Sequence, residues 1–128
     1  MGKPQAKGLR RLINATRYSI DGLKAAWRHE EAFRMEIAAA VIMLPLSFWL
    51  GQTASQIGLL LGTCFIVMIT ELLNSAVETV VDRIGVDHHE LSGRAKDIAS
   101  AAVMLSLVMT VVIWALVIME RFCPVWMK

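Results

Sequence analysis

From Ile37 to Thr70 the chain carries no charged side chain. As one continuous helix that run would be about 50 Å long, against a bilayer hydrocarbon core of roughly 30 Å. A stretch too long to cross once and too apolar for water must fold back on itself. Its only polar, turn-like interruption is Gly51-Gln52-Thr53-Ala54-Ser55-Gln56. A second uncharged run, Ile98 to Met119, is long enough to cross alone. The sequence therefore predicts an all-α membrane protein with transmembrane helices near 33–50, 56–82 and 94–120, in a single domain over residues 1–128. A hydrophobic share of 56% excludes an ordinary soluble domain. The first span is expected to borrow its inner turn from Phe33–Glu36 and to kink at Pro45.

Basic residues set the expected orientation. Lys3, Lys7, Arg10, Arg11, Arg17, Lys24, Arg28 and Arg34 precede the first span, and Arg83, Arg94 and Lys96 fall in the second connection, whereas the 51–56 connection has none. The positive-inside rule puts the N-terminus and the 83–97 loop in the cytoplasm and the C-terminus, with Arg121 and Lys128, outside. The sequence predicts no cleavable signal peptide, because no early apolar core precedes a small-residue cleavage site. Cys64 falls within the second span and Cys123 near the outer surface, a difference in depth that argues against a disulfide. Trp27, Trp49, Trp114 and Trp126 suit boundary belts.

Residues 8–28 read as a basic amphipathic helix lying on the membrane surface. Leu9, Leu12, Ile13, Ile20, Leu23 and Trp27 recur at helical spacing, with Arg10, Asn14, Arg17, Asp21, Lys24 and Arg28 opposite. The helix is either a plain anchor or a lid that helps present a lipid or a phosphate. Arg11 sits cleanly on neither face, which marks it for a specific contact.

The chemistry concentrates in T-E-L-L-N-S-A-V-E-T-V-V-D-R. Glu71, Asn74, Glu78 and Asp82 share an arc of roughly 80° on a helix otherwise apolar enough for a membrane. An ionised carboxylate near mid-bilayer costs roughly 3 kcal/mol, so such a stripe points to function before it points to a structural seam. The chain has no phosphate loop, dinucleotide fingerprint, zinc-protease motif or soluble-kinase signature, and nothing in it predicts nucleic-acid binding. What remains is carboxylates, an amide and the loop G-V-D-H-H-E-L-S-G-R-A-K-D, residues 85–97. Such hard oxygen ligands suit Mg²⁺, which takes one or two carboxylates and completes its shell with water and phosphate oxygens.

Depth divides the roles. A span entering at Ile57 reaches the cytoplasmic boundary near Val77, so Glu78 meets water, Mg²⁺ and polyphosphate. Glu71 lies about 10 Å deeper, where a carboxylate removed from bulk water is a better proton acceptor for a lipid hydroxyl. Asn74 stands one turn from each and is placed to orient either. Lys96 and Asp97 are expected to open the third span, with Ser92 and Gly93 capping it, and Lys96 there favours a phosphate or simply anchors the topology. Glu30, Glu31 and Glu36 read from spacing as solvated partners of nearby arginines, and His29, His88 and His89 as loop or interface residues. So short a chain encloses little space, which favours a homo-oligomer burying the stripe between subunits.

The segment E-L-L-N-S-A-V-E-T-V-V-D-R-I-G (71–85), followed by H-E-L-S-G-R-A-K-D (89–97) and preceded by G-L-K-A-A-W-R-H-E-E-A-F-R (22–34), closely resembles the small integral-membrane diacylglycerol kinases of bacteria. The resemblance covers nearly the whole chain. It implies a homotrimer of three transmembrane helices plus a surface helix, with sites shared between subunits, that uses Mg-ATP to phosphorylate diacylglycerol to phosphatidic acid at the cytoplasmic face of the bacterial inner membrane, the C-terminus being periplasmic. It implies Glu71 as catalytic base with Asn74 in the same site, and Glu30 and Glu78 as the Mg²⁺-binding pair. Arg11, Tyr18, Lys96, Asp97 and the turn Asp87–His88–His89 match nucleotide-contacting positions. Arg11, Arg34, Trp49, Glu71, Ser100 and Trp114 match lipid-pocket positions. Pro45, the F-W-L-G end of the first span, Thr16 and Ile20 depart from the family pattern and bear on lipid docking rather than chemistry. A related branch that prefers a polyprenol shares the acidic motif. The long basic amino-terminal helix and R-A-K-D lean towards the diacylglycerol branch.

Two other functions fit the same stripe: a polyprenol kinase, and a proton- or cation-conducting oligomer. Conduction needs polar positions continuing to the far side, and Ile57–Ile69 offers only Thr63 and Cys64.

Overall fold

A computed structural model describes residues 7–126, with the Trp126 side chain excepted. Lys3, Lys128 and the side chain of Trp126, invoked above for topology and boundary, therefore lie outside the described residues. The described chain is all helical: α1 (Gly8–His29), α2 (Glu31–Leu50), α3 (Ala54–Ile84), α4 (Glu90–Phe122) and a terminal 3₁₀ turn, Pro124–Trp126. Three of these, α2, α3 and α4, are long and apolar enough to cross a membrane. The protein is a multi-pass membrane protein.

Each break between helices has a local cause. Between α1 and α2 only Glu30 is extended, at φ −117° and ψ 106°. Arg34 reaches back from α2, its Nη1 donating to Trp27 O at 2.7 Å, and so satisfies a carbonyl that the end of α1 leaves open. Between α2 and α3, Thr53 caps α3 by accepting from the backbone N–H of Gln56 at 3.2 Å. Gln56 replies by accepting from the Gln52 backbone N–H at 2.8 Å, a reciprocal arrangement akin to a capping box. A Cβ at Gly51 would stand 2.6 Å from Ile57 Cγ1, so only glycine allows the turn to close this tightly. α4 starts earlier than the sequence predicts. His89 Nδ1 accepts from Leu91 N at 3.1 Å and caps it, which places Ser92 and Gly93 inside the helix and not at its cap. α2 continues as a helix through Pro45.

α3 is central, packed against α2 on one side and along its whole length against α4. The core is small, Leu50, Leu60, Cys64, Trp114 and Val117, and lies towards the 51–53 turn. Large apolar side chains on all three long helices point outward instead, Val41 at 67%, Val111 at 68% and Ile42 at 69% exposed. In lipid, apolar area gives helices no reason to associate, so packing and interhelical hydrogen bonds must set the register. Those bonds recur along α3 at heptad spacing. Gln56 Nε2 donates to Glu120 Oε2 at 2.7 Å, Trp114 Nε1 to Thr63 Oγ1 at 3.0 Å, and Thr70 Oγ1 and Ser106 Oγ are paired at 3.0 Å. Nearer the other end, Lys96 Nζ meets Asp82 Oδ1 at 2.6 Å. Cys64 is buried and Cys123 exposed, both as free thiols.

With 31 and 33 residues, α3 and α4 are each about 47–50 Å long, well over the roughly 30 Å of a hydrocarbon core. The surplus lies at the end joined by residues 85–89, where Glu78, Asp82, Arg83, Glu90, Arg94, Lys96 and Asp97 gather. The Glu30 elbow, at the start of α2, is at this same end.

Candidate active site

Glu71 is buried, 5% exposed, in the middle of α3. No ion pair holds it: the salt bridges among the described residues are Arg94–Glu90 and Lys96–Asp82. Instead it lies within electrostatic range of two other carboxylates, Glu30 and Glu78. One turn towards the charged end, Asn74 Nδ2 donates to Glu78 Oε1 at 3.2 Å, while Asn74 Oδ1 is buried without a partner. The amide thus holds Glu78 and leaves an oxygen free beside it. Carboxylates of like charge are held together here with no cation to balance them, an arrangement that a bound cation would relieve.

Glu30 reaches the cluster because of the elbow. The spacing argument makes it a solvated partner of an arginine, but no described arginine pairs with it, and Arg34 is engaged with the α1 carbonyls. Arg34, read as a lipid-pocket position, acts in this structure as the cap that fixes the elbow carrying Glu30. Glu36 is a residue the sequence reading undervalued. Its Oε2 is buried without a partner and it lies within electrostatic range of Glu71, so it is no solvated surface acid. Helical spacing held the signal: Glu36 is three residues after buried Phe33 and four before buried Ala40, on the inward face of α2. Ser75, buried beside Asn74, makes no interhelical hydrogen bond: its Oγ has no partner.

The 85–89 turn forms a second, more open centre. Asp82, Asp87, His88, His89 and Lys96 line a cavity of about 420 Å³ between the ends of α3 and α4. Asp82, unassigned from sequence, is the ion-pair partner that aims Lys96 across this hollow. Asp97, next in sequence, lines a different hollow with Arg94 and His88, so the helix turns Lys96 and Asp97 to different sides.

The other expected site residues are carried by α1, α2 and α4. Arg11 is in the first turn of α1, about 28 Å by helical rise from the elbow, and half-buried Tyr18 lies roughly midway. Ser100 is exposed on α4. Trp49 is at the opposite end of α2, its ring 6.3 Å from Phe122 and 5.6 Å from the Arg121 guanidinium. Trp114 is buried in the core and committed to Thr63.

A Mg²⁺ ion tests well against this donor set. No three ligating side chains gather into a metal cage among the described residues. Glu30 and Glu78 offer two hard carboxylates, with the orphaned Asn74 oxygen alongside. Two carboxylates suit an ion that arrives already bound to polyphosphate.

Comparison with known proteins bears on the chemistry. Residues 17–118 match the family model described as prokaryotic diacylglycerol kinase. A diacylglycerol kinase of Haemophilus influenzae is 54% identical over 107 residues, covering 84% of this chain and 91% of its own. One from Escherichia coli is 46% identical over 115 residues, 90% of this chain and 94% of its own. One from Pseudomonas aeruginosa is 41% identical over 112 residues, 88% and 91%.

Proposed function

The chain belongs to the prokaryotic diacylglycerol kinase family, and from that premise we propose that it transfers the γ-phosphoryl group of ATP to the free hydroxyl of diacylglycerol. The observation that carries this reading is Glu71: a carboxylate buried in a membrane helix without a cation partner, one turn from an amide that holds a second carboxylate towards the charged end.

Glu71 accepts the proton of the lipid hydroxyl as its oxygen attacks the γ-phosphorus. The bond from that phosphorus to the β–γ bridging oxygen breaks, and ADP leaves with the electron pair. The products are phosphatidic acid and ADP. Asn74 orients Glu78, and Glu30 and Glu78 would hold Mg²⁺. When bound, that ion neutralises phosphate charge as it develops. Lys96, aimed by Asp82, receives the nucleotide at the turn end with Asp87, His88 and His89, and Asp97 meets it from the adjoining hollow that His88 also lines. The hollows there are open and polar, in keeping with a water-side substrate.

The turn end is the cytoplasmic face of an inner membrane, with the N-terminus inside and the C-terminus outside. α1 lies on the membrane surface, its exposed Leu9, Leu12, Ile13 and Trp27 in lipid. The functional particle is a homotrimer in which a neighbouring copy supplies Arg11 and Tyr18. The separation of Arg11 from the Glu30 elbow, about 28 Å by helical rise along α1, supports this arrangement. Diacylglycerol is favoured over a polyprenol because the relatives at 41–54% identity carry that name. Family membership also favours a kinase over an ion conductor.

The direct test is Mg²⁺-dependent formation of phosphatidic acid from diacylglycerol and ATP by the purified protein in mixed micelles, with undecaprenol as the competing acceptor. Protein that binds lipid normally but yields no phosphorylated lipid refutes the kinase reading. Preference for undecaprenol refutes the acceptor.

A further inference from the structure

Among the described residues, buried hydroxyl groups have a rule and one exception. Ser47, Thr63 and Ser106 each donate to a carbonyl three or four residues back at 2.7 Å. Ser75 is buried to the same degree, 8% exposed, yet its Oγ has no partner. A buried hydroxyl without a partner is destabilising, and back-bonding within the helix is the usual remedy. Thr79, one turn on, does use it, donating to Ser75 O at 2.8 Å.

Ser75 lines a cavity of about 650 Å³ between α1 and α3; its Oγ is itself covered, so a bond into the cavity takes a turn of the side chain about χ1. Its walls are largely apolar or small, Leu23, Ala26, Leu72 and Ala76 among them, and Glu30 of the carboxylate cluster also lines it. The polyphosphate of a nucleotide needs cations, and the cavity lining contains no lysine or arginine. A neutral lipid ester needs only an apolar wall and one donor. Ser75 is one helical turn, about 6 Å, from Glu71. That is comparable with the span of a glycerol backbone from an ester carbonyl to the free hydroxyl.

We propose that Ser75 Oγ is a positioning group for the lipid acceptor, donating a hydrogen bond to an ester carbonyl of an acylglycerol seated between α1 and α3. This sets the depth at which the free hydroxyl meets Glu71. The proposal rests on the kinase reading and deepens it.

The test uses the full-length protein in mixed micelles, with a diacylglycerol and its dialkyl ether counterpart of equal chain length as acceptors. Wild type should show a KM for the ester about tenfold below that for the ether. Ser75→Ala should raise the ester KM about tenfold while leaving the ether KM and the KM for ATP unchanged, and Ser75→Thr should restore the ester preference. Wild type that treats ester and ether alike overturns the proposal even if no variant folds. So does Ser75→Ala that depresses turnover equally on both, as expected of a packing residue or a face covered by a second copy. Both outcomes leave the kinase reading standing. Protein that phosphorylates neither acceptor refutes that reading, and this one with it.

Discussion

The two halves of the helix bundle treat their polar atoms in opposite ways. Towards the 51–53 turn they are bonded to one another: Gln56 to Glu120, Thr63 to Trp114, Thr70 to Ser106. Towards the 85–89 turn, Glu36 Oε2, Asn74 Oδ1 and Ser75 Oγ are buried without partners, and Glu71 sits among carboxylates with no cation. The first half spends its polarity on register, because apolar contact in lipid does little to select one helix pairing over another. The second half withholds its polarity from the fold, and what the fold does not use is available to substrates. Loss of a group should therefore damage stability in one half and chemistry in the other.

The largest effect belongs to Glu71. Glu71→Gln is nearly isosteric and removes a buried charge, so the protein should fold at least as well as wild type. Turnover should fall roughly a thousandfold, the scale of a positioned general base, with nucleotide binding retained. Separate measurements of kcat and of ATP-analogue binding check this. Loss of nucleotide binding as the main defect would move Glu71 from the lipid side to the nucleotide side. Next, Glu78→Gln should raise the KM for Mg-ATP about tenfold and increase the Mg²⁺ needed for half-maximal rate, with a smaller change in kcat. An unchanged metal dependence would detach Glu78 from the ion.

In the bonded half the prediction reverses. Thr63→Val keeps the shape but leaves the Trp114 indole N–H without its acceptor. It should destabilise the helix pair by about 1 kcal/mol, read by unfolding in mixed micelles, while activity per folded molecule stays within about twofold. A selective loss of kcat with unchanged stability would erase the distinction between the halves.

How much of this division was legible in the sequence depends on the physics behind each residue. Span number and type were legible because the absence of charge over Ile37–Thr70 and Ile98–Met119 is a solvation constraint that acts on the chain directly. That Glu71, Asn74 and Glu78 share one helix face was legible because the helix period is fixed. Glu36 was hidden because its role depends on how α2 packs against α3, although its phase with Phe33 and Ala40 was there to read. Trp114 was read as a lipid-pocket residue. Its bond to Thr63 is a tertiary pairing that shows in sequence only as the heptad spacing of Gln56, Thr63 and Thr70. The start of α4 was misplaced because a histidine cap carries a weaker signal than Ser or Gly, and Ser92–Gly93 drew the boundary inward.

The smallest effect falls where the halves should meet in character, at Asp82–Lys96. This pair crosses from α3 to α4 like the bonded seam, yet both side chains are substantially exposed, 41% for Lys96 and 64% for Asp82. An exposed ion pair adds little to stability, so Asp82→Asn should leave unfolding unchanged. What the pair does is aim Lys96 across the hollow lined by His88 and His89. Asp82→Asn should then raise the KM for ATP only about twofold, with the KM for lipid unmoved and the effect fading in high salt. Unfolding at reduced denaturant with ATP kinetics intact would assign Asp82 to the seam instead, and the boundary between register and chemistry would shift one turn closer to the 85–89 loop.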